Sequence, residues 1–313
     1  MSNSSRVLIT GGGGFIGTNL YSELLSRGHN VYISDLLNSD KLNYSRCDVK
    51  NFREISQLIE QKGPFDFVFH LAAEYGRWNG ESFYENLWKT NIIGTKNMIR
   101  LQEKHKFKLI YFSSAEVYGD FKGVMSESIM ENNPISDTYQ LNDYAISKWA
   151  GELMCLNSER MFDTETVRVR PVNCYGPYEH YTPFRGFIPK FIYHSLMGKP
   201  YTVFLGHKRI IDYVTDTCRT LGNIIDNFIS GEVYNIGGRN EWEHDIKSYS
   251  DIVLDIIGID DSLVNYQESE DHTTQVKTID CSKAIKDLGH DPVVTPREGI
   301  KNTVDWMKKY YNK

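Results

Sequence analysis

Paired cysteines, a basic excess, metal-ligand histidine spacings and long apolar runs are all missing from this 313-residue chain. Cys47, Cys155, Cys174, Cys218 and Cys281 are widely scattered with no CxxC pair, which fits reduced thiols in a cytosolic protein better than a disulfide framework. The formal charge of -6 and pI near 5.9 argue against a nucleic-acid partner, which would need a basic face. The nine histidines show no HExxH or comparable spacing, so no metal is expected. No apolar run is long enough to span a bilayer, and "MSNSSRVLIT" lacks a signal-peptide pattern. No membrane partner and a cytoplasmic location are therefore expected.

What the chain does have is alternation. "RVLIT", "NVYISD", "FDFVFHLAA" and "KLIYFSS" read as buried strands, and "TETVRVRPV" as another. Between them "GTNLYSELLSRG", "NFREISQLIEQK", "NIIGTKNMIRLQEKH" and "NDYAISKWAGELMCLNSERM" have helical spacing, with Gly28 a helix stop. Strands alternating with helices imply an α/β fold with a doubly wound parallel sheet. After Asn173 the texture turns loop-like and rich in Tyr and Pro, so a first domain over 1–172 and a smaller mixed α/β domain mainly over 173–313 are expected. Ligands of such sheets bind at the carboxyl ends of the strands.

"VLITGGGGFIG" joins the first strand to the first helix, and Gly11, Gly14 and Gly17 match GxxGxxG around Phe15 and Ile16. Glycines there let backbone N–H groups approach a pyrophosphate at the helix N-terminus. Asp35 ends the second strand, where a carboxylate accepts from ribose hydroxyls and repels a 2′-phosphate. No arginine follows in Leu36, Leu37 or Asn38 to hold such a phosphate, so NAD is the expected cofactor.

"NDYAISKWAGE" sets Tyr144 and Lys148 one helical turn apart. An ammonium beside a phenol favours tyrosinate, which can take the proton of a substrate hydroxyl while hydride leaves the same carbon. Tyr118 and Lys122 have the same spacing, but they lie between Gly119 and Gly123 in a loop context, so Tyr144 is the expected base.

With these residues in view, the chain resembles the extended short-chain dehydrogenase/reductases, specifically the NAD-dependent nucleotide-sugar epimerase/dehydratase family. The matching stretches are "TGGGGFIG", "HLAA", "NIIGTKN", "SSAEVYG", "YAISK", "RPVNCYGP" and "YNIGG", in family order along nearly the whole chain. The resemblance implies a Rossmann-like first domain and a second domain gripping a nucleotide-diphosphate sugar for surface-polysaccharide synthesis. By the same resemblance, Asp48 and Val49 lie near the adenine, and Leu71, Ala72 and Ala73 line the cofactor. Ser114 matches the hydroxyl that binds the substrate beside Tyr144, and Lys148 would also hold the nicotinamide ribose. Relatives usually form homodimers through a four-helix bundle, here expected from 84–104 and 144–161.

Family members with this centre oxidise C4 of the sugar. The dehydratases that use an acid–base pair read Asp-Glu after the active-site Thr, and this chain reads Ala115-Glu116. Alanine cannot serve as the acid, so a 4-dehydrogenase or 4-epimerase of a hexose or heptose is the expected outcome. A 4,6-dehydratase with Glu116 as base is the alternative, and a non-catalytic NAD-binding sensor the alternative of another class. Asn173 matches a family residue near the substrate, while Arg185, Lys190 and Arg209 are candidates for the diphosphate because their donors suit phosphate oxygens. Glu74 and Arg77, after the fourth strand, are expected to read sugar hydroxyls.

Overall fold

A computed structural model describes residues 4–133, 135–270 and 273–313. Seven parallel strands form the central sheet in the order Val233–Ile236, Thr166–Pro171, Lys108–Phe112, Phe67–His70, Arg6–Thr10, Asn30–Asp35, Tyr44–Arg46. The chain starts in the middle, winds to the 44–46 edge, then crosses back to Phe67–His70. The reversal between Arg6–Thr10 and Phe67–His70 opens a crevice at their carboxyl ends.

Alternation along the strands feeds two cores. Val7 and Ile9 point to one face with Leu20, Leu24, Leu221 and Ile224, whereas Leu8 points to the other with Ile55, Leu58, Met98 and Ile99. Phe67–His70 is buried at all four positions, as a strand covered on both faces should be. The fourth strand is shorter than its apolar run predicts. Leu71 makes a last ladder bond to Thr10 at 3.1 Å, after which 71–76 is irregular up to Gly76, whose φ is +88°. The Tyr44–Arg46 edge strand, short and polar, carries no sequence signal.

Helix Val214–Asp226 packs on Phe15–Ser26, and Arg27 ties them by donating to the Asn223 amide oxygen and the Arg219 carbonyl, both at 2.8 Å. A separate apolar cluster around Ile188, Phe191, Val203, Tyr249 and Val304 lies under the later part of the chain. A small sheet joins early and late segments: Val124–Met125 pairs with Val276–Ile279, which pairs with Lys208–Arg209. No described helix is long and apolar enough to cross a membrane.

Candidate active site

Two cavities open at the carboxyl edge of the sheet, and they share a wall. The smaller, about 310 Å³, is lined by Gly11, Gly14, Phe15, Ile16, Gly17, Asp35, Asp48, Val49, Leu71, Ala72, Ala73, Tyr144 and Lys148. Every residue that the sequence assigns to the cofactor is therefore gathered in one place. The larger, about 670 Å³, holds Ser114, Glu116, Tyr144, Arg77, Asn173, Arg185, Lys190 and Arg209. Tyr144, Tyr75 and Arg185 border both.

The smaller cavity suits a dinucleotide. Gly11 has φ +71°, and a Cβ there would come within 2.8 Å of the Ala72 nitrogen. A Cβ on Gly17 would stand 2.7 Å from the Gly12 Cα, so the loop is this tight only with glycines. Helix Phe15–Ser26 has no side-chain cap at Gly14, which leaves its first N–H groups for an anion. Asp35 fixes the loop by accepting from the Gly13 N–H at 2.9 Å and lines the same cavity. These features fit NAD: glycine backbone for pyrophosphate, Asp35 for ribose.

Tyr144 sits in the first turn of helix Asp143–Phe162, which Asn142 caps by accepting from the Ala145 N–H at 2.9 Å. Lys148 follows on the same face, its Nζ 5.9 Å from the Tyr144 ring centre. The Ser114 hydroxyl, just beyond strand Lys108–Phe112, lines the larger cavity with the phenol and lowers its pKa. The electrostatics differ from the expectation that Lys148 lowers the phenol pKa. Burial pushes Tyr144 up to about 12, opposed by the Ser114 hydroxyl and the Arg185 charge and reinforced by Glu116. Burial pushes Lys148 down to about 7, and its Nζ donates to the Phe112 carbonyl at 2.8 Å.

Glu116 lines the larger cavity in the short turn Ala115–Tyr118. Burial alone would raise its carboxyl, but Lys277, Arg77 and Arg209 outweigh that and hold it below the usual carboxylate range. Lys277 donates directly to Glu116 Oε1. Sequence reasoning missed Lys277, although a signal exists: in Val276–Ile279 it shares the buried face of the strand with Ile279. A lysine on the inward side of a short strand needs a partner.

The remaining candidates divide. Arg77 pairs with Glu270 at 3.0 Å on the wall of the larger cavity. Glu74, expected at the sugar, lines the smaller cavity, and its carboxylate accepts from the side-chain amides of Asn79 and Asn86. Asn173 adopts φ +40° and donates to the Ile210 carbonyl at 2.8 Å. Arg209 borders the larger cavity, but its terminal nitrogens donate to the carbonyls of Lys208, Thr274 and Gln275 and to Thr273. Glu179, also unforeseen, lines that cavity 4.0 Å from Arg185, with burial pushing its carboxyl up to about 7.

The sequence profile of the NAD dependent epimerase/dehydratase family matches residues 7–237. Among curated proteins, a UDP-N-acetyl-alpha-D-glucosaminuronate decarboxylase from Bacillus cytotoxicus is 32% identical, over 98% of this chain and 99% of its own. A dTDP-glucose 4,6-dehydratase from Salmonella typhimurium is 28% identical over 96% and 92%. Among solved structures, the UDP-glucose 4-epimerase of Thermotoga maritima, determined with UDP-glucose, superposes with a TM-score of 0.85. It is 25% identical, covering 97% of this chain and 99% of its own.

Proposed function

The chain belongs to the NAD dependent epimerase/dehydratase family, and from that premise we propose that it oxidises C4 of a nucleotide-diphosphate sugar to a 4-keto sugar, as a 4-dehydrogenase or 4-epimerase. It is an enzyme, and its cofactor is NAD. One observation carries the C4 reading: Tyr144 stands in the wall between the dinucleotide cavity and the larger cavity, which Ser114 also lines. A carbinol seated there would meet the phenol on one side and the hydride acceptor on the other.

NAD, when bound, supplies the hydride acceptor. Gly11, Gly14, Gly17 and Asp35 would hold its pyrophosphate and ribose, and Lys148 its nicotinamide ribose. Tyr144 takes the hydroxyl proton, and Ser114 orients that hydroxyl. Lowering the phenol toward neutral pH falls to the charges around it, of which Arg185 is the contributor within the chain. Lys190, Arg185 and Asn173, which line the larger cavity, would receive diphosphate and sugar, a role that Arg209 supports by anchoring the 273–275 backbone.

A second reading, 4,6-dehydration with Glu116 as base, is favoured by Glu116 lining the same cavity as Tyr144 in its ionised form. The chain is proposed to divide into 1–172 and, mainly, 173–313, with strand Val233–Ile236 returning to the first sheet. A homodimer through the helices at 84–104 and 144–161 is proposed as well, supported by Ile93, Ile146 and Leu153 exposed on them.

Mass spectrometry of products from a panel of nucleotide-diphosphate sugars tests the outcome. Loss of two hydrogens supports a dehydrogenase, and unchanged mass with altered sugar NMR an epimerase. Loss of water selects the second reading. Tyr144→Phe should bind NAD yet abolish sugar-dependent reduction of the nicotinamide; undiminished turnover rejects Tyr144 as the base.

A further inference from the structure

A newly made ketone acidifies the hydrogens on the neighbouring carbons, so ionisable groups beside it acquire a chemical use. Within its own segment Glu116 has no acid partner, because position 115 is alanine. Ala115 is also turned away, packed with Val117, Tyr118, Met125 and Ile279 in an apolar cluster. The fold brings a different group to the place. Lys277 lies 161 residues further along the chain, and its Nζ donates to Glu116 Oε1. Its side chain is only 5% exposed, and both partners line the larger cavity together with Ser114 and Tyr144.

The neighbouring cations are not equivalent to it. Arg209 is in register with Lys277 on the adjoining strand, but its guanidinium is directed into backbone carbonyls. Arg77 is paired with Glu270. A guanidinium, moreover, does not give up its proton, whereas an ammonium does. Burial, together with Arg209 and Arg77, makes the Lys277 proton easier to lose than an ordinary lysine's, even against the pull of Glu116.

We propose that Glu116 and Lys277 form an acid–base couple acting on the carbons next to the ketone generated at Tyr144, with Lys277 supplying the proton that Ala115 cannot. The inference rests on the C4 reading and carries its second outcome further. The Glu116 carboxylate takes the C5 proton, and the C5–H electron pair becomes the C5–C6 double bond. The C6–O bond breaks, and its oxygen leaves as water with the proton from the Lys277 ammonium. One water is lost and no electrons are exchanged in this step. The direct hydrogen bond then lets the proton on Glu116 pass to the neutral Lys277, resetting both groups.

The test uses the full chain with NAD in deuterated water, with UDP-glucose, dTDP-glucose, GDP-mannose, UDP-N-acetylglucosamine and UDP-glucuronate as probes. Nicotinamide absorbance reads C4 oxidation, NMR reads C5 deuteration, and mass spectrometry reads water loss. A probe with a C6 hydroxyl that reduces the nicotinamide should also exchange at C5 and, by the second reading, lose water. In Lys277→Arg, which keeps the cation beside Glu116 but has no proton to give, water loss should fall by about 10²–10⁴-fold, well beyond the fall in C5 exchange. Lys277→Met should show the same split, and Glu116→Gln should lose both signals. Water loss by Lys277→Arg at the wild-type rate overturns the acid role. Hydride transfer without C5 exchange in the wild type overturns the couple. Turnover confined to UDP-glucuronate with release of carbon dioxide also overturns it, making Lys277 a carboxylate-binding cation. No hydride transfer with any probe removes the C4 reading itself, a result separate from these.

Discussion

The Arg185 guanidinium lies 3.8 Å above the centre of the Tyr75 ring, and both residues border the two cavities. Stacking holds the cation near Tyr144, where its charge pulls the phenol pKa downward. In Arg185→Ala the phenol should titrate higher, so the limb of the pH–rate profile that reports its deprotonation moves to higher pH. The rate at neutral pH should drop by about tenfold, the equivalent of one pKa unit. Rates measured across pH check this, and Arg185→Lys should restore part of the loss.

Asp35 holds the glycine loop through the Gly13 N–H and presents its carboxylate to the nucleotide cavity. Asp35→Asn should weaken NAD binding by about tenfold, ~1.4 kcal/mol. The same change should strengthen binding of NADP, because the repulsion of a 2′-phosphate is gone. Calorimetric titration with both dinucleotides gives the two affinities.

Glu179 is 5% exposed, and burial pushes its carboxyl up to about 7 despite Arg185. The folded state therefore holds a proton that the unfolded chain has released between about pH 4.5 and 7. Its contribution to stability is complete below the unfolded pKa and is lost as pH rises through the folded one. Glu179→Gln removes that penalty and should be more stable than wild type by about 2–3 kcal/mol at pH 8, with the gap closing below pH 4.5. Denaturant melts at several pH values measure it.

Leu153 is 50% exposed on helix Asp143–Phe162, one of the two helices proposed to pair between copies. Leu153→Glu should turn the proposed dimer into monomer, since it puts a charge on the apolar face proposed to be covered. Light scattering after size exclusion reads the mass; an unchanged dimer removes this helix from the interface.

Local patterns were the legible part of the fold. Glycine spacing, Asn142 before the helix, and a tyrosine and lysine one turn apart all concern neighbours in sequence, where backbone geometry dictates proximity. The couple between Glu116 and Lys277 depends on Val124–Met125 pairing with Val276–Ile279, and no local signal fixes that register. The phenol's pKa is not legible for a related reason. Spacing places Lys148 beside Tyr144 but does not show how deeply both are buried, and burial dominates both titrations. The partners of Glu74 were equally illegible, because Asn79 and Asn86 reach it from the helices Arg77–Ser82 and Tyr84–Trp88.

Lys277 enters from strand Val276–Ile279, more than 130 residues after Tyr144, whereas the glycine loop and Asp35 precede Tyr144. A ribosome therefore releases the dinucleotide-gripping portion well before the last cation is available. A chain cut before strand Val276–Ile279 would lack that cation, and would also lose Ala284 and Leu288 from the core beneath the first sheet.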